Sequence, residues 1–157
     1  MNNNVKKIKI VSGGQTGADR AALDAAKAMQ ISHGGWCPHG RIAEDGKLSM
    51  KYRLRQTPHS DYVERTLWNV RDSDATLIFT TKKKLSGGTL MTWRFAKQLK
   101  KPVLHICSQD LQNPLRKLDA FIKNNGVKLL NVAGPRASKE PRVYEFVYNT
   151  LCSYLEK

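Results

Sequence analysis

Two glycine-rich turns, each placed between a strand-like run and a helix-like run, constrain the fold of this chain more than any other feature. The first, Gly13–Gly17, follows the strand-like run Val5–Val11 and precedes the alanine-rich stretch Ala18–Met29. The second, Ser86–Thr89, follows the β-branched and aromatic run Ala75–Thr80 and opens another helical stretch. Parallel strands need helical crossovers, so a strand that runs through a tight turn into a helix indicates a parallel sheet. Both turns should then lie at the carboxyl ends of strands.

The rest of the chain continues this alternation, without a recognisable linker or repeat. Pro38–Pro58 is rich in turn residues and is predicted to be a long ordered loop. Further strands are predicted at Ile31–Trp36, Pro102–Cys107 and Lys128–Val132, and further helices at Asp61–Asp72, Thr89–Lys100, Gln112–Asn124 and Glu140–Leu155. We therefore expect a single Rossmann-like domain over residues 1–157. Its architecture should be three-layer α/β/α, with a mainly parallel sheet of about five strands.

The predicted helix Asp61–Asp72 has a clear start signal. Asp61 is a good N-cap residue, because its carboxylate can accept a hydrogen bond from the first helical turn. Val63, Leu67 and Val70 recur at helical spacing and are expected to form the buried face.

The chain is strongly basic, with 27 lysines and arginines against 13 aspartates and glutamates and a net charge of +14. This excess favours anionic partners, although a solvated surface explains many of the lysines as well. Three widely spaced cysteines without a CxxC pair predict neither a disulfide framework nor a zinc site. No apolar run approaches the ~20 residues of a membrane helix, and no secretory signal is recognisable. We expect a cytoplasmic protein with no membrane partner and no protein-ligated metal.

The two turns have the chemistry of phosphate-binding loops. Glycines let the backbone approach a ligand closely, and free N–H groups at a helix start favour a phosphate. Taken singly, either glycine turn could instead be an ordinary tight turn that binds no ligand. Neither turn is a P-loop or a GxGxxG fingerprint, so a dinucleotide is disfavoured. The candidate ligand-binding residues of the turns are Gly13, Gly14, Gln15, Thr16, Gly17, Lys84, Ser86, Gly87, Gly88 and Thr89.

Four further side chains are candidates. Arg41 could clamp a phosphate or carboxylate, or pair with Glu44 or Asp45; Trp36 could stack on a flat ring or fill the core. Asp19 and Arg20 open the first predicted helix, where Asp19 could orient a ligand or cap the helix. Spacing alone identifies no catalytic set and no metal-ligand set.

Four strings carry a family resemblance: GGQTGADRAALD from Gly13, GGWCPHGRIAEDG from Gly34, DYVERTLWNVRDSDATLIF from Asp61 and SGGTLMT from Ser86. Over nearly its whole length the chain resembles the molybdenum cofactor carrier protein family. That family is similar to a wider Rossmann-like group that includes lysine-decarboxylase-like phosphoribohydrolases and DNA-processing protein A.

The resemblance implies a homo-oligomer, possibly a tetramer, that holds molybdenum cofactor by its pterin phosphate without covalent chemistry. Carried over to this chain, Gly14, Gln15, Thr16, Gly17 and the Ser86–Thr89 turn would line the pocket. A molybdoenzyme or a cofactor-synthesis protein is the implied partner.

An enzyme of phosphoribohydrolase type, acting on a nucleoside monophosphate, is the first alternative. Those enzymes carry a glutamate in a PGGxGTxxE pattern, whereas here Leu90–Trp93 follow the glycines and contain no acid. Asp19, Glu44 or Asp45 would have to supply the missing carboxylate. A nucleic-acid-binding protein is the second alternative, suggested only by the net charge and the run Lys82–Lys84, and nucleic acid is the less expected partner.

Overall fold

The structure, a computed structural model, describes residues 8–156. Nine strands form in this part of the chain: β1 (Lys9–Val11), β2 (His33–Gly34), β3 (Trp36–Cys37), β4 (Ile42–Ala43), β5 (Gly46–Lys47), β6 (Arg55–Gln56), β7 (Ala75–Thr80), β8 (Val103–Cys107) and β9 (Leu129–Ala133). Five helices form in the same part of the chain: α1 (Ala18–Ala28), α2 (Tyr62–Arg71), α3 (Gly87–Gln98), α4 (Pro114–Asn125) and α5 (Val143–Leu155).

Five of the strands form one parallel sheet in the order β2-β1-β9-β7-β8. The last strand along the chain is the central one: Leu130 of β9 pairs with both Ile10 of β1 and Ala75 of β7. Counted from β9, the sheet order becomes 3-2-1-4-5, which is the Rossmann order. In such sheets ligands bind beyond the carboxyl ends of the strands where the strand order reverses, here between β9 and β7. The predicted fold class is confirmed.

The two faces of the sheet differ in polarity. Successive strand residues point to opposite faces, so Leu77 and Phe79 of β7 share one face while Thr76 and Thr80 share the other. Leu77 and Phe79 belong to the main hydrophobic core, together with residues of α1, α4 and α5. Thr76 instead accepts a hydrogen bond from the Asn131 side chain of β9, at 3.2 Å. The polar face is the one next to α2 and α3, and this is where a polar cavity can form.

The alanine-rich first helix lies directly against the last helix. Ala21, Ala22 and Ala25 of α1 are fully buried, as are Val147 and Leu151 of α5. Short side chains on α1 allow a close approach of the two helices, so an alanine run here serves packing as well as helix propensity.

Most predicted elements form within two or three residues of their expected bounds. The strand predicted at Val5–Val11 is observed at Lys9–Val11, and residues 5–7 lie outside the described part of the chain. The strand predicted at Ile31–Trp36 is divided into β2 and β3, because β3 pairs with β6 rather than with the main sheet. The predicted loop Pro38–Pro58 contains the β4–β5 hairpin and strand β6.

The buried face predicted for α2 is partly confirmed: Val70 is fully buried and Leu67 is half-buried, but Val63 is not. Asp61 caps the helix as expected, accepting a hydrogen bond from the Glu64 backbone N–H at 2.8 Å. Val63, however, is 48% exposed, and the helix buries Arg65 and Asn69 together with Val70. The helix lies over the polar face of the sheet, so its inward side is polar as well.

Candidate anion-binding site

A cavity of about 430 Å³ opens at the carboxyl ends of β7 and β9, where the strand order predicts a ligand. Thr80 and Asn131 contribute from the sheet, and α2 contributes a row of polar side chains: Tyr62, Arg65, Thr66 and Asn69. The volume falls within the ~300–1,000 Å³ of small-molecule sites.

The structure brings both predicted glycine turns to this cavity. Gly13, Gln15 and Asp19 line it from the first turn and the start of α1. From the second turn come Lys84, Ser86, Gly88 and Thr89. These residues account for half of the set predicted from the sequence.

The second turn is open to the cavity. Ser86 precedes the first residue of α3, and its side chain makes no capping hydrogen bond within the described structure. Apart from its chain neighbours and the nearby backbone of its own helix, a Cβ added at Gly88 would meet no atom of residues 8–156 within 4 Å, so the space beside this glycine is open. The first backbone N–H groups of a helix lack intrahelical partners and carry the positive end of its dipole. The start of α3 is therefore accessible and carries the charge that favours an anion.

The first turn is largely filled by the protein itself. A Cβ at Gly13 would lie 2.3 Å from the Arg65 guanidinium, which donates a 2.7 Å hydrogen bond to the Gly13 carbonyl. Gly17 has a φ of +80°, and a Cβ there would lie 2.5 Å from the Pro135 carbonyl oxygen. That same oxygen accepts the Ala18 backbone N–H at 3.2 Å. The glycines of the first turn thus accommodate Arg65 and the loop after β9, and the start of α1 is not free for a phosphate.

Arg41 is a structural residue in this protein, which corrects both predictions made for it. Its guanidinium is buried and donates to four backbone carbonyls, those of Leu48, Ser49, Tyr52 and Leu54, at 2.8–3.3 Å. It therefore holds the 48–54 segment in place, lies outside the cavity lining and pairs with neither Glu44 nor Asp45.

Trp36 also lies away from this cavity. Its indole N–H donates to Asp72 at 2.9 Å, and the Arg55 guanidinium lies 4.2 Å from its ring centroid. It lines a separate cavity of about 370 Å³ beside β1 and β2. The structure does not bring it to the glycine turns, because β3 leaves the main sheet.

The other predicted residues that do not line the cavity support its walls. Arg20 pairs with Asp45 at 2.9 Å and donates to the Gly14 carbonyl. Thr16 donates its hydroxyl to Glu44 and accepts the Ala137 N–H at 3.2 Å. Gly87, with a φ of +54°, lies beside the Lys139 ammonium group.

Sequence reasoning missed several residues of the cavity. Arg65, Arg136, Lys139 and Glu140 all line it, and none was predicted. Two signals could have identified them. Arg65 and Asn69 are spaced i, i+4 on one helix face, and Gly134-Pro135-Arg136 is a third glycine turn after a strand. The third glycine turn indicates a residue of the site only once β9 is known to be the central strand.

Cations outnumber carboxylates around the cavity. Lys82, Lys84, Arg136 and Lys139 line it and form no salt bridge within the described residues. The Tyr62 ring lies within cation–π distance of two guanidinium groups, 5.2 Å from Arg65 and 5.4 Å from Arg136. Such a cluster attracts an anion because its positive charges are not compensated internally.

Two carboxylates complete the lining. Burial raises the pKa of Asp19 from 3.8 to about 6, and the nearby Arg65 charge opposes this shift without cancelling it. Burial also lowers the pKa of Arg65. Glu140 accepts hydrogen bonds from the Thr81 backbone N–H at 2.5 Å and the Thr81 hydroxyl at 2.7 Å.

Two buried donors in this region lack partners within the described part of the chain: the Gln15 Nε2 and the Arg65 Nε atoms. The Gln15 side-chain oxygen, by contrast, accepts the Thr16 and Glu44 backbone N–H groups at 3.0 and 2.8 Å. Buried donors are rarely left unpaired in native proteins, so these two donors are available to a ligand or to water in the cavity.

The topology and this cavity define a Rossmann-type protein with a cation-rich cavity at the strand-order reversal. Residues 10–155 match the circularly permutated YpsA SLOG family, and the chain belongs to that family. The permutation is visible in the sheet, where the last strand takes the central position of a Rossmann first strand.

A solved structure from Syntrophus aciditrophicus SB, named "Putative molybdenum carrier protein", is 44% identical to this chain. It superposes with a TM-score of 0.90 over 95% of this chain and 94% of its own. The family resemblance seen in the sequence is thereby confirmed. A second structure, (E)-4-hydroxy-3-methyl-but-2-enyl diphosphate reductase, is 12% identical with a TM-score of 0.41 over 93% of this chain and 59% of its own. No curated protein matches the chain.

Two further observations concern the residues that the structure describes. None of their helices has the length and apolar character needed to cross a membrane. No group of three or more His, Cys, Asp or Glu side chains among them is placed to hold a metal ion.

Proposed function

We propose that this protein binds a phosphorylated pterin, the molybdenum cofactor, as cargo and holds it without covalent chemistry. The observation that carries the proposal is the open start of α3, facing an excess of unpaired cations in one cavity. The 44% identical neighbour, named as a molybdenum carrier, supports this choice of ligand. Any metal would arrive within the cofactor.

Each part of the cavity has a role in this proposal. Backbone N–H groups at Gly88 and Thr89, with the Ser86 hydroxyl, bind the phosphate at the start of α3. Lys84 adds charge at the same turn. The unpaired Gln15 Nε2 donor and the polar face of α2 surround the ring system.

The test is ligand-induced stabilisation of dialysed protein. Inorganic phosphate, 6-hydroxymethylpterin phosphate and molybdenum cofactor released anaerobically from a molybdoenzyme are added separately, and the thermal midpoint is followed. A ligand at 100 times its Kd stabilises the folded state by about 2.7 kcal/mol. No shift with either pterin compound contradicts the proposal.

Lys84→Gln and Lys83→Gln form a matched pair for locating the phosphate. Both substitutions remove one positive charge from the same basic run, but only Lys84 lines the cavity. We expect Lys84→Gln to weaken binding of the pterin phosphate about tenfold, the effect of losing a charged hydrogen bond of about 1.5 kcal/mol. Lys83→Gln should leave the affinity within about twofold. Equal effects would mean that only the overall charge matters.

We further propose that the cargo is delivered to a molybdoenzyme or a cofactor-synthesis protein, and that the carrier is a homo-oligomer, possibly a tetramer. Native mass spectrometry of the loaded protein measures both subunit number and bound mass. A monomeric mass would contradict the oligomer.

Hydrolysis of a nucleoside monophosphate is the second candidate, and the placement of Asp19 favours it. Of the three carboxylates considered from the sequence, only Asp19 lines the cavity, since Asp45 pairs with Arg20 and Glu44 accepts from Thr16 and Ser138. Incubation with AMP, GMP, CMP and UMP, followed by chromatography for free base, decides the matter. Free base that disappears with Asp19→Asn would establish the enzyme in place of the carrier.

A further inference from the structure

The Asp19 carboxylate and the Gln15 amide are not explained by phosphate binding. Both residues are buried and both line the cavity. A carboxylate repels an anionic ligand, so a ligand that carried only phosphate groups would make Asp19 unfavourable. A ligand that also brings hydrogen-bond donors would give this carboxylate a favourable role.

Asp19 retains the capacity to accept hydrogen bonds from a ligand. Its Oδ2 atom lies 3.6 Å from the Arg65 Nη1, beyond hydrogen-bond distance, and that nitrogen donates to the Gly13 carbonyl instead. The Gln15 backbone N–H lies close enough to lower the pKa of this carboxyl group, so the two residues are neighbours. The lone pairs of the carboxylate oxygens can accept hydrogen bonds from a ligand.

The orientation of the Gln15 amide is fixed by its neighbours. Its oxygen accepts the Thr16 and Glu44 N–H groups, so the oxygen cannot exchange places with the nitrogen. The Nε2 group is therefore the donor without a partner. The cavity lining therefore contains the Asp19 carboxylate oxygens as acceptors and the Gln15 Nε2 group as a donor.

We propose that Asp19 and Gln15 recognise a ring edge with two adjacent N–H donors beside a carbonyl, the 2-amino-4-oxopyrimidine edge shared by pterins and guanine. Asp19 accepts from the amino group and the ring N–H, and Gln15 donates to the carbonyl oxygen. This inference rests on the proposed function, because the phosphate at the start of α3 anchors the ligand. The site then selects the ring as well as the phosphate.

Ring selectivity of the unaltered protein is the first test. Titration calorimetry compares 6-hydroxymethylpterin phosphate with the corresponding lumazine phosphate, in which a carbonyl replaces the 2-amino group. GMP and IMP form a second pair, since IMP lacks only that amino group. We expect the amino compound of each pair to bind about 10–100-fold more tightly, because the lost hydrogen bond involves a charged group.

Substitutions test whether Asp19 and Gln15 are the residues that distinguish the two rings. Asp19→Asn should bring the GMP-to-IMP affinity ratio close to one and leave inorganic phosphate binding undiminished. Asp45→Asn removes a carboxylate outside the cavity and should preserve the ratio. Gln15→Met should weaken GMP and IMP equally, because both retain the carbonyl. Circular dichroism confirms that each variant is folded.

The outcomes distinguish a failure of ring recognition from a failure of the proposed function. If the amino and non-amino ligands bind unaltered protein equally, or Asp19→Asn leaves the ratio unchanged, ring recognition by Asp19 is wrong while phosphate binding stands. If neither the pterin phosphate nor GMP binds at all, the proposed function itself is wrong.

Discussion

The two glycine turns have similar sequence chemistry and opposite structural roles. In the first, the positions beside Gly13 and Gly17 are occupied by Arg65 and by the loop after β9. In the second, the position beside Gly88 is empty, and Gly88 itself lines the cavity. A glycine after a strand therefore indicates close approach, but the approaching group can be the protein or a ligand.

The first turn, whose glycines contact other parts of the protein, positions residues that line the cavity beside the second turn. Arg65 lies against Gly13, which places its charge beside Asp19 and Tyr62. The contact of Pro135 with Ala18 holds the loop that carries Arg136 and Lys139. The predictions below separate the two roles, in order of decreasing effect.

Removing Arg65 should have the largest effect on stability. Arg65→Met keeps much of the side-chain volume but leaves the buried Asp19 without its cation and the Gly13 carbonyl without its donor. Breaking a buried ion pair typically costs about 3–5 kcal/mol. We expect a loss of about 4 kcal/mol in the free energy of unfolding, measured by urea titration.

Asp19→Asn in the Arg65→Met background is the control for this interpretation. If the loss arises from an unpaired charge, the double variant should recover at least about 1 kcal/mol of it, as coupled neighbours do. Additive losses would show that Arg65 acts through packing alone.

Gly17→Ala should be the next most damaging change. The residue needs a positive φ, and its new Cβ would contact the Pro135 carbonyl oxygen. A residue forced into such a conformation costs about 1–3 kcal/mol, and the backbone contact places the expected loss near the upper end, about 3 kcal/mol. The thermal midpoint should fall by about 6–12 °C. An unchanged midpoint would show that the loop after β9 yields easily.

The sequence was sufficient to predict the strand–helix order and the two turns, because these depend on local patterns. Ala75–Thr80 and the Asp61 cap were correct for this reason. It was not sufficient to predict that the last strand is central, since strand order depends on long-range packing. Arg136 and Lys139, which follow that strand, could therefore not be assigned to the site.

The errors at single residues have a common physical cause. Val63 was expected to be buried because apolar residues usually face a core, but α2 lies over the polar side of the sheet and buries Arg65 instead. Arg41 was considered for a ligand because its guanidinium can bind anions, and in the structure carbonyl groups of its own chain occupy that guanidinium. The sequence identifies a side chain that can donate hydrogen bonds, but it does not identify the groups that accept them.

Asp19 should give the ligand-free protein a characteristic pH dependence. Its pKa is about 6 in the folded state against 3.8 as the reference value, so the folded state binds the proton more tightly. The stabilisation from this group is complete below pH 3.8 and is lost as the pH rises through about 6. Arg65, Arg20 and Arg136 face the carboxylate and limit the shift. The loss amounts to about 2–3 kcal/mol.

Comparison with Asp19→Asn isolates this contribution from the other carboxylates. The pKa values of Asp45 and Asp74 are lowered by their partners, and such groups lose stability on acidification instead. Between pH 4 and pH 8 the variant should therefore gain about 2–3 kcal/mol relative to the unaltered protein. A difference that does not change with pH would mean that Asp19 is as well solvated as a surface carboxylate.

Gly88→Ala should have the smallest effect on stability and the most informative effect on binding. The new methyl group meets open space, and alanine favours a helix over glycine, so the ligand-free protein should gain up to about 1 kcal/mol. The same methyl group would occupy the space where we place the phosphate, so affinity for 6-hydroxymethylpterin phosphate should fall at least tenfold. Gly126→Ala, at another glycine with open space, is the control for binding, although its φ of +58° will reduce stability. If the Gly88→Ala variant is more stable and binds as tightly as the unaltered protein, the phosphate lies elsewhere. The open space beside Gly88 would then not distinguish the second turn from the first in function.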